Sequence, residues 1–149
     1  MNEEIQNILH REGMKLASIK KRAMALFIDE MLLSFLLIIA LSDSFFEAKT
    51  VEEMIILTNT FVLEYMAMKI IYQAFFVMHY GATLGKIAMK IRVVDAKTLQ
   101  TPNVIVSLHR SIIRIASEML FYLGFMWGIM DPIRQAWHDK SAGTLVVDA

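Results

Sequence analysis

Cysteine is absent from the 149-residue chain, which excludes a disulfide scaffold, a thiolate zinc site and a cysteine nucleophile. Proline occurs only twice, and with twelve methionines this fits a helix-rich, lipid-compatible chain. Neither sign of charge prevails, because fifteen Lys and Arg balance fifteen Asp and Glu. A neutral, aliphatic chain lacks the basic footprint that grips a phosphate backbone, so no nucleic-acid partner is expected. What is abundant is apolar. Hydrophobic residues make up 56% of the chain, against roughly 45 to 50% in soluble domains. A length of 149 residues corresponds to one domain.

The apolar residues fall into runs. The first, about residues 23–42, has the roughly 20 residues that a bilayer-crossing helix needs. It starts behind a charged arm, residues 1–22, and no small-residue cleavage site follows it, so it reads as a membrane helix rather than a signal peptide. The second run, about residues 54–78, is long enough to cross with tilt and carries Glu64 and Lys69. The third, residues 104–131, differs: its first half holds His109, Arg110, Arg114 and Glu118 at helical spacing, the pattern of an amphipathic interfacial helix. In the arm, Ile5, Ile8, Leu9, Leu16 and Ile19 stand among charges, as in a helix lying on a membrane surface or in an ordinary solvated lead-in.

Charge orients these runs. Arg11, Lys15, Lys20, Lys21 and Arg22 precede the first, and Lys86, Lys90, Arg92 and Lys97 follow the second. Asp43, Glu47, Glu52 and Glu53 lie between them. Short basic segments stay in the cytoplasm, which places the N-terminus inside and the acidic loop outside. An internal echo then bears on the remainder. Ile91-Arg92-Val93-Val94-Asp95-Ala96 and Thr144-Leu145-Val146-Val147-Asp148-Ala149 are both strand-like and end in the same four residues. If they pair, everything between them leaves and returns on one face. Residues 104–130 make only about 40 Å of helix, too little for two crossings. The expected form is a re-entrant hairpin turning near Gly124, with a third full crossing as the alternative.

Several side chains stand out as chemistry. Asp29, about two turns into a membrane helix, costs on the order of 3 kcal/mol to insert and needs a partner. Arg22 is about 10 Å away along the same helix, so the partner must come from elsewhere. Lys69, at similar depth in the returning helix, is expected to pair with Asp29 or Glu30. Such a pair is either a proton- or cation-binding group in a transport path or a structural tie fixing helix register. Glu64 is either a second polar site or packing glue against a neighbouring helix. Gly81-Ala82-Thr83-Leu84-Gly85-Lys86 fails as a phosphate loop on spacing, and its glycines read instead as turn residues, with Lys86 and Lys90 facing lipid headgroups. His138 beside Asp139 is a weak acid-base signal. His10, His79 and His109 lack ligand spacing, so no metal, cofactor or catalytic residue is expected. Gly143 suits a turn into the last strand, and Asp139 can cap a helix or pair with Arg110, Arg114 or Arg134.

Taken together, Arg22 with Asp29, Thr83-Leu84-Gly85-Lys86, Ile91-Arg92-Val93-Val94-Asp95, the Arg110 and Arg114 segment, and the tail from Asp131 through Arg134 and His138-Asp139 to Gly143-Thr144 resemble the RDD family of small bacterial membrane proteins. The resemblance covers about Lys20 to the end. The family is named for one arginine and two aspartates; the first two map onto Arg22 and Asp29, and the third onto Asp139, with Asp131 in the same tail. It implies a membrane protein whose role is not defined, with transport of unidentified ligands proposed.

The resulting expectation is an all-α integral membrane protein of the bacterial inner membrane. It comprises a cytoplasmic amphipathic arm at 1–22 and one membrane domain at 23–149, with two transmembrane helices, a re-entrant or amphipathic helical pair (or third transmembrane helix), a tail at 132–149 and a small cytoplasmic β element that pairs residues 91–96 with 144–149. Its expected partners are the lipid bilayer and either further copies of itself or other membrane proteins. Two functions follow: a small ligand or cation/proton transporter acting as an oligomer, or a non-transporting accessory subunit of a larger membrane complex. An enzyme is not expected.

Overall fold

The computed structural model describes residues 2–149, and these are mostly helical. Helix α1 (Asn2–Arg11) leads into α2 (Ile19–Ala40), which begins where the Ser18 hydroxyl accepts from the Lys21 backbone N–H. On α2, Ala25, Asp29 and Leu33 recur every four residues and form the buried face. Phe27, Met31, Phe35, Ile38 and Ile39 are exposed around the rest, as lipid contact requires. This is the one helix among the described residues that is long and apolar enough to cross a membrane by itself.

A short α3 (Ser42–Glu47) connects to α4 (Val51–Thr60) and α5 (Val62–Tyr80). The second apolar run is therefore two helices bent by 53° at Phe61. No proline is involved; the Thr58 and Thr60 hydroxyls donate back to the Met54 and Ile56 carbonyls, an arrangement that bends helices. Gly81 ends α5 in the left-handed conformation (φ 68°), and Thr83 caps α6 (Leu84–Ala88).

The echoed segments do pair. Strands β1 (Ile91–Asp95) and β2 (Thr144–Asp148) are antiparallel, with Val93 opposite Val146 and Val94 opposite Leu145. Alternation then gives the sheet two apolar faces. Ile91, Val93 and Val146 pack with Ala25 and Val77 of the long helices, whereas Val94, Leu145 and Val147 pack with Leu9 of α1 and Ile133. The outer edge of β2 is covered by residues 15–17, where Ala17 N–H donates to the Val146 carbonyl (2.9 Å) and Asp148 N–H to the Lys15 carbonyl (2.9 Å). The apolar side of α1 thus lies on the sheet.

Between the strands, α7 (Val104–Met119) and α8 (Leu123–Met130) meet at 103°. The reversal lies at Phe121 and Tyr122, both with positive φ, and not at Gly124. Gly124 serves instead as a contact point, since a Cβ there would stand 2.3 Å from Ser117 Oγ. A final α9 (Trp137–Ala142), closed by left-handed Gly143, returns the chain to β2. The membrane-related elements are thus one apolar span, or up to three if each bent pair is a span.

Helix α7 reverses the sequence expectation. Ser107, Arg110, Ser111, Arg114 and Ser117 are buried, and Ile105, Leu108, Ile112 and Met119 are exposed. Its polar face turns into the protein and its apolar face outward, the opposite of a headgroup-facing interfacial helix.

Candidate functional site

That inverted face meets charged residues brought to it from other helices. From the start of α2 comes Arg22, from α7 Arg110, and from α9 Asp139, which is fully buried. Arg22 donates to Asp139 Oδ2 and Arg110 to Oδ1, so each carboxylate oxygen meets a guanidinium. Oδ2 also accepts from Ala136 N–H (3.1 Å), which caps α9. Arg110 reaches Thr144 Oγ1 as well (2.7 Å), linking the cluster to β2. Burial would raise the Asp139 carboxyl, but the Arg110 and Arg22 guanidiniums outweigh it and hold the group well below the ordinary carboxylate range. For His138, burial is the largest influence. With the Arg110 and Arg22 charges it outweighs Asp139 and pulls the imidazole well below its usual value, leaving a neutral ring. Arg134 does not pair with Asp139; its guanidinium donates to the Leu16 and Ala17 carbonyls (3.3 and 3.2 Å). Asp131 accepts from the backbone of Ile133 and Gln135 and lies 3.6 Å from Lys140.

Deeper along α2 lies a second site without a cation. The Asp29 carboxylate accepts from Tyr72 Oη (2.7 Å), Thr83 Oγ1 (2.6 Å) and Gly85 N–H (2.8 Å). The expected Asp29–Lys69 pair does not form, because three neutral donors from α5 and the turn into α6 already satisfy the carboxylate. Gly85 is what allows the approach: a Cβ would stand 2.1 Å from the Ala25 carbonyl oxygen.

The residue beside it takes the lysine. Lys69 Nζ lies 2.9 Å from Glu30 Oε1 and also binds Glu118. Arg114 closes the ring, 3.2 Å from Glu118 and 3.6 Å from Glu30. Two cations and two carboxylates from α2, α5 and α7 thus form a balanced network, with the lysine and arginine nearly buried. Tyr65 lies alongside, its hydroxyl 3.4 Å from Glu30 and its ring under the Lys69 ammonium at 5.3 Å. Glu64, one residue away, is exposed and outside this network. No group of three His, Asp or Glu able to hold a metal occurs among the described residues.

Sequence reasoning missed Glu118, Tyr72, Thr83 and Lys86 as parts of these clusters, and Arg114, offered as a partner of Asp139, pairs instead with Glu118 and Glu30. The available signal was Arg114 and Glu118 at i,i+4, in register with Arg110 and the serines of α7. Lys86 is buried rather than turned to lipid headgroups, while Lys90 is exposed.

An apolar span, inward-facing ion pairs and a small sheet tying the tail to the first helix define a helical, membrane-associated protein in which two arginines hold one buried aspartate and neutral donors hold another. The RDD family model matches residues 16–143. The chain belongs to the RDD family. It is also similar to an uncharacterised protein of Rickettsia prowazekii (strain Madrid E), 34% identical over 67 residues, which are 45% of this chain and 36% of that relative. The match thus spans about a third of the relative's length. No solved structure matches the chain.

Proposed function

We propose that this protein is a small multi-pass transporter of the bacterial inner membrane that exchanges a proton or small cation at the Glu30–Glu118 pair. The observation that carries the reading is the Lys69 ammonium shared between two carboxylates from different helices. Ionisable groups at membrane depth are functional by default, and Lys69 is an internal cation that occupies the carboxylates when no other cation does. A proton or cation arriving at Glu30 or Glu118 releases Lys69, and the return of Lys69 expels it. The two crossing helices cannot enclose a path alone, so an oligomer is part of the proposal.

Topology supports the same reading. Residues 15–17 run along the edge of the β1–β2 sheet, which supports a chain that crosses by α2, returns by α4 and α5, and dips re-entrantly through α7 and α8. The basic residues preceding α2 and following α5 support a cytoplasmic N-terminus. The bilayer is the first partner, and no catalytic role is assigned to any residue.

Reconstitution into liposomes with an internal pH dye tests the reading. Flux driven by a proton or sodium gradient is expected, with loss in Glu118→Gln and Glu30→Gln. Absence of flux from well-folded protein that co-purifies in mild detergent with a stoichiometric foreign membrane protein places the chain in the other class, an accessory subunit.

A further inference from the structure

A cavity of about 170 Å³ opens between the start of α2, α6, α7 and α8. Its polar lining is cationic: Arg22, Lys86, Arg110 and Arg114 face it, with neutral His138, and no acidic residue lines it. Ile19, Ala23, Leu26, Phe125, Met126 and Ile129 make up most of the apolar remainder. Arg22 and Arg110 are matched by Asp139, and Arg114 by Glu118 and Glu30. Lys86 differs. It is 9% exposed, and among the described residues its ammonium makes no hydrogen bond or ion pair. The nearest carboxylate on α2, Asp29, is already filled by Tyr72, Thr83 and Gly85. A largely buried lysine is costly to keep charged unless it is paired, and of the four cations lining the cavity Lys86 is the one without a carboxylate partner among the described residues.

We propose that this cavity is an anion-binding site in which Lys86, with Arg110 and Arg22 behind it, holds a phosphate or carboxylate head. That chemistry is common to an anionic lipid headgroup and a free small anion. The apolar wall of α2 and α8 residues gives an acyl chain somewhere to lie, a surface that a free phosphate does not use. Arg114 borders both this cavity and the Glu30–Lys69–Glu118 network, but the proposal rests on Lys86 and does not depend on the flux reading. Burial, with Arg114 and Arg110 close by, pulls the Lys86 pKa to about 7. Asp29 opposes this and Arg22 adds to it, while His138 lines the same cavity as a neutral group. An anion is therefore held best below about pH 7, where Lys86 keeps its proton.

The test uses the full chain in a neutral detergent, with the thermal unfolding midpoint as readout. Short-chain phosphatidylglycerol, phosphatidylcholine and inorganic phosphate are the probes. Phosphatidylglycerol is expected to raise the midpoint by several degrees at pH 6 and less at pH 8, while phosphatidylcholine leaves it unchanged. In Lys86→Met the concentration needed for half the effect should rise about tenfold, the loss of one charge-assisted contact, and Lys86→Arg should retain the effect. Ala23→Phe fills the cavity without touching a charge and should abolish the rise, which keeps the test decisive if Lys86→Met fails to fold. A rise with inorganic phosphate equal to that with phosphatidylglycerol, and equally dependent on Lys86, assigns the site to a free anion. No rise with either anion, or a rise undiminished in both Lys86→Met and Ala23→Phe, overturns the proposal.

Discussion

Arg22, in the first turn of α2, and Asp139, in α9, lie 117 positions apart and form an ion pair that Arg110 completes from the other side. Because Asp139 is fully buried, its two guanidiniums are what make its charge tolerable, and they tie the tail to α2 and α7. Asp139→Asn leaves two cations without a counter-charge and should destabilise by about 3 to 5 kcal/mol. Arg22→Met should cost less, since Arg110 still answers the aspartate. The double variant should lose less than the sum of the singles in detergent melting; additive losses would show that the residues are uncoupled.

The network at Lys69 carries the same logic at greater depth. Lys69→Met leaves Glu30 and Glu118 sharing only Arg114, so a loss of about 3 kcal/mol or more is expected. Adding Glu118→Gln removes one charge of each sign and should restore much of that loss. A double variant no more stable than Lys69→Met alone would speak against the coupling.

Asp29 and Gly85 hold α6 against α2. A Cβ at residue 85 would lie 2.1 Å from a backbone oxygen and 2.8 Å from Asp29 Oδ1, so Gly85→Ala must separate the two elements. A cost of about 3 kcal/mol is expected, at the upper end for overpacking. Gly13→Ala is the control: it meets nothing within 4 Å and bears only the strain of its positive φ, roughly 1 kcal/mol. Equal melting temperatures for the two variants would contradict the close packing.

His138 predicts a pH dependence. Its folded pKa is held well below the ordinary value by burial, so the folded state binds fewer protons than the unfolded chain as pH falls through about 6.5. Stability should be level with respect to this group above neutrality and decline below about pH 6.5. His138→Gln should flatten the melting profile between pH 5 and 7. An unchanged slope would assign the decline to other groups.

Much of the scaffold was legible in sequence. The apolar run of α2 needs no partner to declare itself, because length and hydropathy are local quantities. The Val-Val-Asp-Ala echo announced β1 and β2, since β-branched alternation reads in one dimension. Residue types at the sites were legible for a related reason: Asp29, Glu30, Lys69 and Asp139 stand out wherever ionisable groups sit in apolar surroundings.

Which of them meet was not. Asp29 and Glu30 are adjacent in sequence, and a helix turns successive side chains about 100° apart, so one faces Tyr72 and Thr83 while the other faces Lys69. Helix α7 shows the limit most clearly. Its period was read correctly, yet the periodicity of a single helix does not say whether its polar face meets solvent or protein. Next to lipid the apolar face is the one that can be exposed, so Arg110 and Arg114 turn inward to carboxylates contributed by α2, α9 and their own helix. The apolar span, the strands and the inventory of charges could all be read along the chain, because each is a local property. Their pairing, and the placing of Lys86 beside a cavity lined by arginines, came from the fold, because most of the ion pairs join distant segments whose separations are set by packing.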